Sequence, residues 1–89
     1  MKAIITVIGK DQVGIMYGVS GVLQELGVNI EDVTQTIMQE YFTMLMLVNI
    51  DEAKAGFKQL RDALEELGQE KGLSIRIQKE EIFDTMHKI

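Results

Sequence analysis

Residues 9–15 read Gly-Lys-Asp-Gln-Val-Gly-Ile, and these residue types at this spacing suit the binding of a small polar molecule. Asp11 can cap a helix that begins near Gln12 to Gly14. Gly14 has no Cβ and lets a ligand approach the backbone closely. The free N–H groups of a helix's first turn favour a carboxylate. Asn29 opens a later strand-like segment, offers both donors and acceptors, and is expected near the same turn. An α-amino acid needs this mixture: amide donors for its carboxylate and an oxygen acceptor for its ammonium. The expected pocket is lined by Asp11, Gln12, Val13, Gly14 and Ile15, with Asn29 and Ile30, and is completed by a neighbouring subunit. The residues by themselves equally allow a structural reading, in which Asp11 is only a cap and Gly14 only a tight turn.

Little else in the sequence could do chemistry. The single histidine, His87, has no neighbouring residue that completes a site. Ser20 stands beside Gly21 in a helical pattern with no base in reach by sequence, so helix packing is its expected role. Cysteine is absent, which excludes disulfides, thiolate metal sites and a cysteine nucleophile. The carboxylates have no metal-binding spacing. The expectation is a protein that is not an enzyme, with no metal and no cofactor. The net charge is −5, and no Lys/Arg cluster interrupts the acidity, which argues against nucleic acid as a partner. The apolar run before Gly9 is too short for a signal peptide, and no stretch approaches a membrane span. A cytoplasmic protein with no membrane partner is expected.

The elements that must position the turn follow from periodicity. Ala3–Ile8 is short and β-branched and reads as a buried strand ended by Gly9. Ile15, Val19, Val22, Leu23 and Leu26 recur at helical spacing, with Gly27 as the stop. Gly18 and Gly21 inside that helix suggest close backbone packing on its face. Val28–Gln39 form a second strand whose phase slips near Glu31-Asp32, as a β-bulge produces. Phe42–Ile50 form a third, apolar at nearly every position. Asp51 is the expected cap of a second helix, marked by Ala53, Phe57, Leu60, Leu64 and Leu67. Its charged residues read as a solvated face, and Gly68 or Gly72 ends it. Leu73, Ile75 and Ile77 alternate with polar residues in a fourth strand.

The first and third strands are apolar on both faces, and the other two alternate. That pattern predicts the α+β class: a ferredoxin-like βαββαβ two-layer sandwich whose four-stranded antiparallel sheet has the order 4-1-3-2. Residues 1–80 form one domain. Residues 81–89 form a C-terminal tail with Ile82, Phe83, Met86 and Ile89 at the spacing of a short helix. Two helices cover only one sheet face, so either Met44 and Met46 or Leu45 and Leu47 must point away from them. The tail or a second subunit is expected to cover that other face, and a homo-oligomer, a dimer or higher, is expected.

The turn, with Gly9, Asp11, Gly14 and Ile15, then Leu23 and the run Gly27-Val28-Asn29-Ile30, resembles the ACT domain, a small regulatory ligand-binding module. The resemblance covers Ala3 to about Ile77 in element order. It is most specific from Gly9 to Ile30, where the sequence is also similar to the glycine-cleavage regulator-like subgroup and related stand-alone ACT proteins. Val13 departs from it, standing where many relatives have proline. The resemblance implies a regulatory module that binds a small effector, such as an amino acid, and acts through a separate protein partner. The alternative is a protein-interaction or oligomerisation module with no ligand. A third class, an acylphosphatase-like enzyme, shares the element order but needs an arginine beside the first loop. The only arginines are Arg61 and Arg76.

Overall fold

The computed structural model describes residues 1–10, 12–51 and 56–80. Along them run β1 (Lys2–Gly9), α1 (Gln12–Leu26), β2 (Asn29–Met38), β3 (Tyr41–Asn49), α2 (Phe57–Lys71) and β4 (Ser74–Lys79). The strands form one antiparallel sheet in the order β2-β3-β1-β4, the expected 4-1-3-2. Burial explains the order. The strands with apolar residues on both faces, β1 and β3, take the two central places, each flanked by a strand on both edges.

Cross-strand partners share a face, so register assigns every side chain. Ala3, Ile5 and Val7 of β1 point to the helices, as do Phe42, Met44, Met46 and Val48 of β3, all of them buried. Against them pack Ile15, Val19 and Leu23 of α1 and Leu60 and Leu64 of α2. Each fully buried aliphatic side chain contributes about 1.5–3 kcal/mol. Met44 and Met46 are therefore core, and Leu45 and Leu47 face the other way beside Ile4 and Thr6. The phase slip in β2 is a register shift between Ile30 and Asp32 that leaves Glu31 as the extra residue.

Both helices stop in the same way. Gly27, at φ 73°, and Gly72, at φ 70°, take the left-handed conformation open to glycine. Beyond them the Val28 N–H donates to the Leu23 carbonyl at 2.9 Å, and the Leu73 N–H to that of Gly68 at 2.8 Å. These bonds satisfy carbonyls that would otherwise be orphaned at a helix end. The start of α2 differs from expectation. Its N-cap is Gly56, whose N–H donates to Gln59 Oε1 at 3.2 Å. Asp51 instead pairs with the amino group of Met1. The expected helical positions of the tail, and Ala53, lie outside the described residues.

Candidate functional site

Gly9 ends β1 directly beneath the start of α1. A Cβ there would lie 2.4 Å from Leu73 Cδ2 and 2.8 Å from Ile15 Cδ1. A side chain there would force the tips of Leu73 and Ile15 to shift. Ile15 is fully buried under this junction. Its side chain belongs to the core. Gln12 opens the helix, Gly14 is half-buried in its first turn, and Val13 is 77% exposed. Asp11, the expected acceptor, lies outside the described residues, as does His87.

The turn is tied to the β2–β3 hairpin. Lys10 Nζ stands 3.7 Å from Glu40 Oε2 and 5.6 Å from the ring centroid of Tyr41. Exposed contacts of this kind are each worth less than about 1 kcal/mol. They leave a cation beside the turn, one that sequence spacing did not associate with an aromatic partner. Hydrophobic periodicity could not have found it, because the hairpin is remote in sequence. Arg61 and Arg76 lie on α2 and β4 and together line a hollow there, not at the loop an acyl-phosphate chemistry would use.

Asn29 and Ile30 do not join this turn within one chain. Asn29 pairs with Asn49, which pairs with Lys2. The turn follows Gly9, at the other end of β1. Seven residues of strand separate the two positions, roughly 23 Å. The reason is topological: α1 runs back along the sheet, so β2 begins at the end where β1 begins. Asn29 and Ile30 are both exposed there.

The outward face of α1 was not anticipated. Val13, Met16, Tyr17, Ser20, Gly21 and Gln24 line one shallow groove of about 560 Å³. Tyr17 is 84% exposed, and none of the six carries a charge. The two helical glycines have different tasks. Gly18 faces α2, where an added Cβ would stand 3.1 Å from Leu67 Cδ1, whereas nothing lies within 4 Å of Gly21. Close packing thus holds for Gly18 and fails for Gly21. Ser20 is exposed in the groove rather than packed. Alongside, the edge strand β2 is exposed at all ten residues, with Ile30, Val33 and Ile37 on its helix side.

Among the described residues, no cluster of three or more His, Asp or Glu could hold a metal, and no helix is long and apolar enough to cross a membrane.

Residues 2–78 match the family model of the ACT domain. A UPF0237 protein of Clostridium acetobutylicum is 53% identical over 89 residues, all of both chains. An ACT domain protein from Streptococcus pneumoniae superposes with a TM-score of 0.80 at 52% identity, covering 94% of each chain. The ligand-free regulatory subunit of aspartate kinase from Thermus thermophilus matches with a TM-score of 0.66 at 26% identity, over 86% of this chain and 50% of that one. The chain belongs to the ACT-domain family.

Proposed function

We propose that this ACT-domain chain is a non-catalytic, cytoplasmic regulatory module. It binds a small effector of the amino-acid class between two copies of itself and acts through a separate protein partner. The observation that carries this reading is the uncharged, exposed face of α1, which runs from the Gly9–Ile15 turn to the Asn29 end of the sheet. That face is self-complementary. Against an antiparallel copy, Met16 meets the space over Gly21, Tyr17 meets Ser20, and Val13 meets Gln24. Large side chains oppose small ones in both directions, as an isologous two-fold contact requires. The stripe lies on the side of α1 away from Gly18 and α2, above the open edge of β2, so the same second copy can pair with that edge.

A two-fold axis of this kind carries Asn29 and Ile30 of one copy to the turn of the other. The seven-residue separation within a chain then becomes proximity between chains. In the composite site the first N–H groups of α1 take the effector's carboxylate. Asp11, or Asn29 from the second copy, takes its ammonium. Membership of a regulatory family, with an aspartate kinase regulatory subunit among its structural neighbours, supports the amino-acid class. The twenty common amino acids, screened by thermal shift at millimolar concentration, test it. At a hundred times Kd a ligand adds about 2.7 kcal/mol of stability. If no amino acid or close analogue shifts the melt, the effector reading fails and a ligand-free interaction module takes its place.

A further inference from the structure

Strand β4 is an edge of the sheet: β1 pairs with one side of it, and no described strand takes the other. An edge strand presents a row of backbone N–H and C=O groups to an incoming chain. Beside this edge runs α2, and two hollows lie between them. Arg61, Leu64 and Glu65 of α2, with Ile75, Arg76 and Ile77 of β4, line one of about 180 Å³. Glu65, Gly68 and Gln69, with Leu73, Ser74 and Ile75, line the next, of about 260 Å³. We propose that the β4 edge takes up an extended segment of a partner protein as a fifth strand, with an acidic side chain of that segment in the first hollow.

Two observations favour this occupant. The first is spacing. Along β4 the hollows are centred on Arg76 and Ser74, two strand residues or about 6.6 Å apart. Along α2 they are offset by one helical turn, about 5.4 Å. Alternate side chains of an added strand share a face and repeat at nearly the same interval. One segment can therefore place consecutive same-face side chains in both hollows. The second observation is charge. The net charge of the chain is −5, yet Lys58, Arg61, Arg76 and Lys79 are four of its nine Lys and Arg and belong to this edge. Lys79 Nζ stands 5.6 Å from the Phe57 ring centroid, so the start of α2 lies beside the end of β4 and the four cations gather there. Arginine forks match a carboxylate. The only competing carboxylates here are weak ones: Asp62 Oδ1 stands 3.7 Å from Arg61 Nε in an exposed pair, and Glu65 lines the rim. The second hollow has no cation and shares Glu65, so it takes an uncharged side chain. A second copy paired through the middle of β4 would set Arg76 against Arg76, and like charges across strands repel. This edge is the opposite one from β2 and leaves the face of α1 to the dimer proposed above. The inference rests on that reading for the existence of a protein partner, and not for the effector.

A displayed library of extended peptides, random at alternate positions, is selected on the immobilised full chain, and the amide spectrum of the isotope-labelled chain maps where a selected peptide binds. The selected peptides should carry Asp or Glu at one position and an uncharged residue two positions along, and the amide shifts should centre on Ser74–Lys79. Replacing the peptide's carboxylate by its amide should weaken binding roughly five- to tenfold. Arg61→Gln combined with Arg76→Gln should weaken the acidic peptide by the same factor and spare the amide form. Lys71→Gln, on α2 outside both hollows, should change nothing. Selection of no peptide, no preference for a carboxylate, or shifts at β2 instead of β4 overturns the proposal. So does self-association of the chain that the two arginine substitutions abolish, because a second copy then holds the edge. The comparison of acid and amide peptides needs no variant, so it decides the matter if the double variant does not fold. The amino-acid thermal shift reads the effector site separately, and neither result depends on the other.

Discussion

Helices α1 and α2 have 15 residues each and lie on the same face of the same sheet. Their inner sides are alike, since Ile15, Val19 and Leu23 match Leu60 and Leu64 in burial. Their outer sides differ. In α1 the only charged residue is Glu25, whereas α2 carries Lys58, Arg61, Asp62, Glu65, Glu66, Glu70 and Lys71. A solvated helix gains from charges spaced around its outer face, and α2 has them. The outer face of α1 instead exposes Val13, Met16 and Tyr17 around Gly21. Exposed apolar surface in a contiguous stripe marks an interaction site, and here it adjoins the turn that opens the helix. The difference between the two helices therefore separates a helix solvated along its outer side from one whose outer side carries the proposed interaction surface.

The comparison can be broken in steps of decreasing size. Truncating the shared inner faces should hurt equally: Leu23→Ala and Leu64→Ala should each cost about 2–5 kcal/mol in urea unfolding. A much smaller loss in α1 would mean that its inner face is not core. Tyr17→Asp places a charge in the proposed interface twice per dimer, so sedimentation should show association weakened by about a hundredfold or more. Asp62→Asn on α2 should leave it unchanged. Gly21→Leu sharpens the contrast. Open space lies around Gly21, so the isolated fold should gain up to about 1 kcal/mol of helix stability, while the dimer loses the slot that receives Met16. Tighter association of this variant would refute the antiparallel α1 pairing. The smallest effect is at the α2 start, where Gln59→Ala should cost about 0.5–1.5 kcal/mol by releasing the Gly56 N–H.

Much of the fold was legible because it rests on local period. Apolar runs on both faces named the central strands, and a single phase slip located the bulge at Glu31. The site was less legible because it rests on direction. A period-2 pattern tells which face a residue takes, not which end of the sheet it reaches, and so Asn29 was expected on the wrong side of its own chain. Ile15 read as both a helix-face apolar residue and a turn neighbour, and burial beneath Gly9 decided for the core. Gly18 and Gly21 are indistinguishable by type, and only Leu67 packing against one of them separates their roles. Asp51 has the chemistry of a cap, but Gly56 is where α2 begins. The groove on α1 escaped notice because the helix was read from its inward set alone.

Trans-complementation tests the composite site most directly. Asp11→Ala damages the turn, and Asn29→Ala damages the contribution from the other copy. Each variant alone should bind the effector about ten- to hundredfold more weakly, the loss of one charge-assisted bond per site. A mere cap at Asp11 would lower stability by about 1 kcal/mol and spare affinity. When the two variants are unfolded together and refolded as a mixture, half of the dimers combine one chain of each kind. Every such dimer holds one site with an intact turn and an intact Asn29. Calorimetric titration should then recover about one quarter of the wild-type stoichiometry at wild-type affinity. A mixture that binds no better than its separate components would contradict a site shared between two chains.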